Sequence, residues 1–303
     1  MTGVSFVVTV YNKAAYLPAV LSAIFAQEGD FAREVIVVDD GSTDDSPGLL
    51  DRLCANRREA RVIHQPNQGL VGATNIGVRA ATQPWLKIVD GDDVLAPWAT
   101  RILLDAANAF GTRIALGSAG EYRVGEPISW GALDPAQAEP YRRDLFVECL
   151  RNVPGNLSPT LIDRALYWEV GGADPRLYNA DLPLLLKLSQ GRMAACVKAV
   201  VTVSPLVAAG RMSGDERRML EETNRAIVYF LADHPQLSWR QRRVALERAF
   251  GRAWKWQHRR LGATLVSRWF WLYALAKLGP PSFALPFLAS TLEAFTVPRR
   301  NRS

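Results

Sequence analysis

The chain has 303 residues, 49% of them hydrophobic, enough to bury one large core or a core with an appendage. Its three cysteines lie far apart with no CxxC spacing, which argues against a zinc ribbon or a disulfide framework and fits a reducing compartment. The net charge is +6 but uneven, because residues 238–303 hold 13 Lys/Arg and 2 Asp/Glu whereas the remaining 237 hold 23 and 28. A basic C-terminal segment on an acidic body predicts two surfaces with different partners.

Strand-like and helix-like patterns alternate from the start of the chain. The predicted strands are Val4–Val10, Glu34–Val38, Arg61–His64 and Trp85–Val89; helical spacing follows at Leu17–Phe25, Leu49–Leu53 and Ala73–Ala81. The first strand begins without a basic leader or a cleavage site, so we expect the first domain to remain in the cytoplasm. The alternation predicts an α/β, Rossmann-like fold whose mostly parallel sheet has helices on both faces.

Two acidic clusters directly follow predicted strands, namely Asp39-Asp40-Gly41-Ser42 and Asp90-Gly91-Asp92-Asp93. Ligands of open α/β sheets bind beyond the carboxyl ends of the strands, so two strands would direct carboxylates to one edge of the sheet. The alternative is structural, because Asp-Gly-Ser and Asp-Gly-Asp are also ordinary turn sequences.

The chemistry of the second cluster suits a hard divalent cation. Asp90 and Asp92 can converge on one ion, and Gly91 lets the backbone bend between them. Carboxylate oxygens favour Mg²⁺ or Mn²⁺, which bind a few protein carboxylates together with substrate phosphates. A diphosphate-bearing substrate is the economical inference.

The first cluster needs another role, since a second acidic pair would repel phosphates. Asp39 and Asp40 are better suited to accept hydrogen bonds from a base imino N–H or from ribose hydroxyls. Tyr11, at the end of the first strand, either packs on the base ring or is a half-buried aromatic side chain.

At these residues the sequence resembles family 2 of the glycosyltransferases, inverting enzymes with the GT-A fold. The matching blocks are Val4–Asn12, Val35–Asp44, Asn67–Leu70 with Asn75–Gly77, and Leu86–Asp93. The resemblance implies that Asp90 and Asp92 form the metal-binding DxD motif. The positions that it assigns to donor binding are Thr9, Tyr11, Asp39, Asp40, Gly69, Asn75, Asp90, Gly91 and Asp92.

A weaker match lies downstream, in Glu169–Asp174 and Asn179–Leu188. In the family a Gly-Gly turn precedes an acidic pair that opens a helix, and the second acid is the catalytic base. Asp181 matches that acid, whereas Ala180 replaces the first one. Without the family, Asp181 is a reasonable N-cap for the helix.

One cationic contact of the family is missing, because Thr74 stands where an arginine often precedes the Asn-x-Gly. The candidates to replace it are Lys13, Arg79, Lys87 and Arg211. Of these, Arg211 is preferred because its loop stands where the family has a flexible basic loop near the donor.

The resemblance implies a metal-dependent inverting transferase that moves a sugar from a nucleoside-diphosphate sugar to a hydroxyl of a glycan or lipid-linked acceptor. By family habit the donor is a UDP-sugar, with guanosine and thymidine forms as alternatives. The expected parts are a donor-binding half at 1–110, an acceptor-binding half of the same domain at 111–237, and a helical extension at 238–303. The alternatives are an inactive nucleotide-sugar-binding or membrane-partner module, which Thr74 and Ala180 favour, and a nucleotidyltransferase, which would need a basic glycine-rich loop after the first strand.

The extension combines arginines with apolar aromatic residues at helical spacing, which favours attachment to an anionic membrane surface. A packed subdomain, an oligomer interface and a membrane span are the alternatives. The uncharged run Leu278–Leu292 is short for a span and contains prolines. No groove-reading module points to nucleic acid. We therefore expect a peripheral protein on the cytoplasmic face, in envelope polysaccharide or lipopolysaccharide assembly.

Overall fold

The computed structural model describes residues 2–131, 138–152, 156–206 and 214–296. The chain divides into two compact units. Met1–Phe146 and Gly155–Ala209 form the first unit, which contains the sheet, while Val147–Pro154 and Gly210–Ser303 form the second, which is helical. Arg211 lies outside the described residues.

The first unit is built on a nine-stranded sheet of order β3-β2-β1-β4-β8-β6-β9-β5, with β7 paired to β9. The strands are β1 Gly3–Val10, β2 Ala32–Asp39, β3 Ala60–His64, β4 Trp85–Asp90, β5 Val94–Leu95, β6 Ile114–Tyr122, β7 Tyr141–Arg143, β8 Thr160–Asp163 and β9 Ala194–Pro205. The helices are α1 Leu17–Phe25, α2 Ser46–Cys54, α3 Gly69–Ala80, α4 Ala99–Phe110, α5 Phe146–Arg151, which continues into the second unit, α6 Arg164–Glu169 and α7 Asp181–Ser189.

Strands β3, β2, β1 and β4 are parallel neighbours. Their apolar sequences are explained by burial, since all of β1 and the carboxyl-terminal part of β2 are buried. Both acid-bearing strands extend one residue beyond the predicted limits, so Asp39 and Asp90 are the last residues of β2 and β4. Helix α3 begins at Gly69 rather than at Ala73.

The other half of the sheet mixes strand directions. Strand β8 lies between β4 and β6 and runs antiparallel to both, whereas β6 and β9 are parallel. The short strands β5 and β7 each run antiparallel to β9. This arrangement brings the segment before β8 alongside the end of β4, where the second acidic cluster lies.

The second unit consists of packed helices. They are α8 Glu216–Asp233, α9 Trp239–Leu261, α10 Arg268–Leu278, α11 Pro281–Ala284 and a 3-10 helix at Leu285–Phe295. Trp256, Trp269 and Phe295 form the centre of its core, and Ser238 caps α9 through a capping box with Gln241. Across the described ranges, no helix has both the length and the apolar character needed to cross a membrane.

Candidate active site

The strand register brings the predicted residues to one edge of the sheet. Thr9 pairs with Asp90, Val10 pairs with Asp39, and Asp39 pairs with His64. Four adjacent parallel strands therefore end in a row of polar side chains, at the edge where an α/β sheet binds ligands.

A cavity of about 470 Å³ lies beside Asp39. Its lining residues are Asp39, Gly41, Pro47, Asp51, His64, Gln65 and Pro66. Asp39 is only 3% exposed, and its Oδ1 accepts a hydrogen bond from the backbone N–H of Ser42 at 3.1 Å. Gly41 has a φ of +72°, and a Cβ there would lie 2.8 Å from the backbone nitrogen of Asn67, so this turn requires glycine.

His64 is a pocket residue that the sequence did not single out. Its Nδ1 lies 2.9 Å from Asp39 Oδ2 and its Nε2 lies 3.1 Å from Asp51 Oδ1. The hydrogen bonds to Asp39 and then Asp51 raise the pKa of His64 above its ordinary value of 6.5. The signal available in the sequence was its position at the end of a predicted strand next to the strand of Asp39.

The turns after β1 and β2 hold each other in place. Asn12 has a φ of +53°, and its Oδ1 accepts hydrogen bonds from the backbone N–H groups of Thr43 and Asp44 at 2.7 and 3.3 Å. Asp40 Oδ1 accepts from Gln65 Nε2 and from a backbone N–H of the next loop, each at 2.8 Å. Tyr11 is 48% exposed beside this framework.

The second cluster is crowded with carboxylates. Gly91 donates its backbone N–H to Thr9 O at 2.9 Å, so close that a Cβ on Gly91 would lie 2.8 Å from that oxygen. Burial and then the charges of Asp93, Asp181 and Asp92 raise the pKa of Asp90 well above its usual range. A nearby cation would stabilise the ionised form of such a carboxylate.

Asp92 and Asp93, next to Asp90, are held by different side chains. Lys13 Nζ forms an ion pair with Asp92 Oδ2 at 2.5 Å. Asp93, 1% exposed, accepts hydrogen bonds from Ser204 Oγ at 2.5 Å and Asn156 Nδ2 at 2.6 Å. Among the candidate replacement cations that the structure describes, Lys13 forms an ion pair with this cluster, whereas the preferred candidate Arg211 lies outside the described residues.

Asp181 reaches the same cluster from α7. Its Oδ1 accepts a hydrogen bond from the backbone N–H of Leu157 at 3.2 Å, and burial raises its pKa to about 7. The N-cap interpretation is wrong, because α7 begins at Asp181 with Ala180 as the cap residue and no side-chain cap hydrogen bond. The carboxylate is directed to the cluster instead of to its own helix.

Lys87 is fully buried beneath the cluster. Its Nζ donates hydrogen bonds to the backbone oxygens of Ser158 and Thr160, and burial lowers its pKa to about 7. The hydroxyl of Ser158 in turn accepts the backbone N–H of Asp90 at 3.2 Å. Lys87 thus joins the β4 strand to the segment that contacts both Asp90 and Asp181.

Asn75, by contrast, is occupied by protein contacts. Its Oδ1 accepts hydrogen bonds from Tyr167 Oη at 2.7 Å and Ala173 N at 3.2 Å, and its Nδ2 donates to Ala173 O at 2.9 Å. Gly69 opens α3 with a φ of +78°, and Arg79 is exposed near the other end of that helix. The hydrogen bonds of Asn75 therefore connect α3 to the glycine turn before α7.

The chemistry of the second cluster fits a divalent cation. Asp90 and Asp92 provide hard oxygen ligands, and the buried Thr9 Oγ1 beside Asp90 has no hydrogen-bond partner. In the part of the chain that the structure describes, no three His, Cys, Asp or Glu side chains are arranged to hold an ion by themselves. Two carboxylates completed by substrate phosphates remain a suitable set for Mg²⁺ or Mn²⁺.

Comparisons with known proteins identify the first unit's relatives. The family described as Glycosyl transferase family 2 matches residues 5–171. The succinoglycan biosynthesis protein ExoO of Rhizobium meliloti (strain 1021) is 36% identical over 113 residues, 37% of this chain and 32% of that protein. The PGL/p-HBAD biosynthesis glycosyltransferase of Mycobacterium bovis (strain BCG / Pasteur 1173P2) is 40% identical over 93 residues, 30% of this chain and 36% of that protein. The matched part spans about a third of these curated relatives.

Solved structures share the fold over nearly the whole chain. S. aureus TarS 1-349 in complex with UDP-GlcNAc matches with a TM-score of 0.69 and 15% identity over 97% of this chain and 89% of that one. The mannosyltransferase PcManGT from Pyrobaculum calidifontis, in complex with GDP-Man and Mn²⁺, matches with a TM-score of 0.60 and 18% identity over 96% and 85%. The predicted α/β GT-A fold with a helical C-terminal part is confirmed.

Proposed function

The chain belongs to glycosyl transferase family 2, and from this membership we propose that it is a metal-dependent inverting glycosyltransferase that moves a sugar from a nucleoside-diphosphate sugar to a hydroxyl of a glycan or lipid-linked acceptor. The supporting observation is the convergence of Asp181 with Asp90, Asp92 and Asp93, with burial and mutual repulsion raising the pKa values of Asp90 and Asp181. Perturbed carboxylates at the ligand-binding edge of a sheet are what general-base chemistry requires.

Each half of the domain has its own task in this proposal. Residues 1–110 bind the donor, with Asp39 and Asp40 accepting hydrogen bonds from the base and ribose and Tyr11 placed to cover the base ring. Residues 111–237 bind the acceptor. Asp181 removes the proton from the acceptor hydroxyl as its oxygen attacks the anomeric carbon from the face opposite the leaving group, and this single displacement inverts that carbon.

Asp90 and Asp92 would hold the divalent ion. When bound, Mg²⁺ or Mn²⁺ neutralises the charge that grows on the leaving diphosphate. Lys13 stabilises Asp92 through its ion pair. Gly91 keeps the backbone close to β1, so that Asp90 stays beside Thr9.

The relatives support a proposal for the donor and for the pathway. A UDP-sugar is the proposed donor because the TarS structure contains UDP-GlcNAc, whereas the GDP-Man complex of PcManGT makes guanosine the alternative. Relatives named for succinoglycan and PGL/p-HBAD biosynthesis support a role in cell-envelope glycan assembly.

The second unit is proposed to attach the protein to the cytoplasmic face of an anionic membrane. Large apolar side chains of its helices and connections are exposed, and in its described part Arg240, Arg242, Arg243 and Lys255 form no ion pair with a carboxylate. The exposed apolar residues are Trp239, Leu261, Leu265, Val266, Trp271, Leu278, Phe283 and Phe287. A homo-oligomer contact through the same residues is the alternative.

A thermal-shift panel tests the donor proposal. UDP-glucose, UDP-GlcNAc, GDP-mannose and CDP-glucose are each added with Mn²⁺, with Mg²⁺ and with EDTA, because a ligand that binds the native state raises Tm by mass action. We expect one nucleotide class to raise Tm and to release its nucleoside diphosphate slowly, in both cases only with metal. If none of the four raises Tm with either metal, the proposed function is wrong.

A further inference from the structure

His64 lies between two carboxylates in the cavity beside Asp39. The distances are 2.9 Å from Nδ1 to Asp39 Oδ2 and 3.1 Å from Nε2 to Asp51 Oδ1. An ionised carboxylate only accepts hydrogen bonds, and a neutral imidazole has only one N–H to donate. Both nitrogens can donate to ionised carboxylates together only when the ring carries two N–H groups, so these two distances favour an imidazolium ion.

We propose that the protonated His64, held by Asp51, is a positioning residue that fixes Asp39 as the acceptor for the N–H of a nucleobase imide, as in uracil, and that it makes donor binding dependent on pH. This inference rests on the proposed function, in which Asp39 contacts the base. It adds a residue that positions Asp39 and a dependence of donor binding on pH.

Asp39 retains the capacity to bind a base. Its two oxygens accept one hydrogen bond each from Ser42 N and His64 Nδ1, whereas a carboxylate offers about four acceptor positions. The buried Gln65 Oε1 in the same cavity has no partner and is a second free acceptor. Uracil, thymine and guanine present a ring N–H to such acceptors, whereas cytosine presents a ring nitrogen with a lone pair and is disfavoured.

The charge balance of the cavity gives the direction of the pH effect. The charged groups that act on His64 are Asp39 from β2 and Asp51 from α2, while Gln65 and Asn67 in the following loop are neutral. With His64 protonated the three groups carry a net charge of about −1, and with His64 neutral about −2. Deprotonation also removes one of the two N–H groups of the His64 ring. The nucleotide sugar is itself anionic, so it binds more weakly as the pH rises through the pKa of His64.

The test measures the Kd of UDP-glucose in the presence of Mn²⁺ by calorimetry from about pH 6 to about pH 8.5, a range that brackets a raised histidine pKa while the diphosphate diester keeps a constant charge. The Kd should rise about fivefold over this range, the loss equivalent to one hydrogen bond. Asp51→Asn should move the midpoint to lower pH, because it removes one of the two carboxylates. His64→Gln should lose the part of the pH dependence that His64 contributes, so its Kd should change less over this range than that of the native chain. CDP-glucose should bind more weakly than UDP-glucose to the native chain, and His64→Gln should narrow this difference.

A second readout keeps the two proposals separable. The chain has three histidines, so the ring resonances of His64 can be assigned by comparison with His64→Gln and titrated by NMR without any nucleotide. A His64 pKa at or below that of a free histidine, or the same Kd profile in native and His64→Gln proteins, would overturn this inference while leaving the enzyme proposal intact. Failure of every nucleotide sugar to bind would instead remove the proposed function and this inference with it.

Discussion

The raised pKa of Asp181 determines the pH range in which this carboxylate can act as a base. A general base must be deprotonated, and burial raises the pKa of Asp181 to about 7, so the rate of transfer should fall as the pH drops through that region. A cation on Asp90 and Asp92 lowers the pKa of Asp181, so with metal the acidic limb lies at or below that value. A profile of kcat against pH checks this, and a rate that increases toward low pH would contradict the assignment of Asp181.

Substitution separates the roles of the two acids. Asp181→Asn keeps the size of the side chain but removes its basicity, so transfer should fall by about 10²–10⁴-fold while the Kd of the donor changes little. Asp92→Ala should weaken both, because Asp92 is proposed to bind the metal and the diphosphate. Asp105→Asn, on the exposed surface of α4, is the matched control. Equal losses of donor affinity in the Asp181 and Asp92 variants would reject the division of labour.

A buried lysine on β4 forms hydrogen bonds with the segment that leads into β8. Lys87 donates to the backbone oxygens of Ser158 and Thr160, and the same segment contributes the Leu157 N–H that holds Asp181. Lys87→Met fills the space without these bonds, so we expect a folded protein whose transfer rate is reduced about tenfold or more, the cost of a small displacement of catalytic groups. Lys198→Met, at an exposed position of the otherwise largely buried β9, should have no such effect.

The same variant has a signature in stability. Burial lowers the pKa of Lys87 to about 7 from 10.5, so between these values the unfolded chain binds more protons than the folded one. The contribution of Lys87 to stability therefore improves as the pH rises above about 7. As the pH is raised, the Tm of the native chain should increase relative to the Tm of the Lys87→Met variant. A constant difference between the two proteins would show that the lysine is not buried as described.

Helix α3 is connected to the glycine turn by Asn75. Asn75→Ala would remove the acceptor of the buried Tyr167 hydroxyl and the donor to Ala173 O, and only the hydrogen bond from Ala173 N to Tyr167 Oη at 3.2 Å would remain. The loss should lower the free energy of unfolding by about 2 kcal/mol. Denaturant unfolding measures this, with the exposed Asn67→Ala as control. A loss of donor affinity without a loss of stability would support the donor-binding role that the family resemblance implies for Asn75.

The sequence predicts the parallel half of the sheet because its strands are continuous apolar runs between helical patterns. Asp39 and Asp90 were located by the rule that ligands bind at the carboxyl ends of such strands. His64, Ser158 and Lys87 were not assigned their roles, because their partners depend on strand register and on β8, which pairs with β4 from more than seventy residues downstream. Long-range antiparallel pairing leaves no periodic signal in a four-residue strand.

In the C-terminal segment, the helical spacing of apolar residues does not determine which of them are buried. Phe250, Leu265 and Trp269 lie at helical spacing in the sequence, yet Phe250 and Trp269 are buried at 0% and 5% exposure whereas Leu265 is 63% exposed. The difference arises because α9 ends at Leu261 and the chain turns at Gly262, which has a φ of +68°. The apolar residues therefore divide between a packed core and a solvent-exposed set.

The solvent-exposed apolar residues of the C-terminal segment lead to a prediction about membrane binding by the whole protein. If it contacts lipid, the chain should float with vesicles containing anionic phosphatidylglycerol and much less with phosphatidylcholine alone, because apolar side chains and unpaired arginines act together. Point variants are preferable to deletion of residues 238–303, since Asn224 of α8 bonds to Ala249 of α9 and a deletion would expose a core. Trp271→Ser combined with Leu278→Ser and Phe283→Ser should abolish flotation.

The control for this experiment lies in the first unit. Val124 is 59% exposed, close to the 62% of Trp271, so Val124→Ser removes exposed apolar surface elsewhere and should float like the native chain. Native and triple-variant proteins should transfer sugar equally to a water-soluble acceptor, because none of the three residues belongs to the sheet unit. Unchanged flotation of the triple variant would exclude lipid contact through Trp271, Leu278 and Phe283. A change from oligomer to monomer by light scattering would assign these residues to a subunit interface instead.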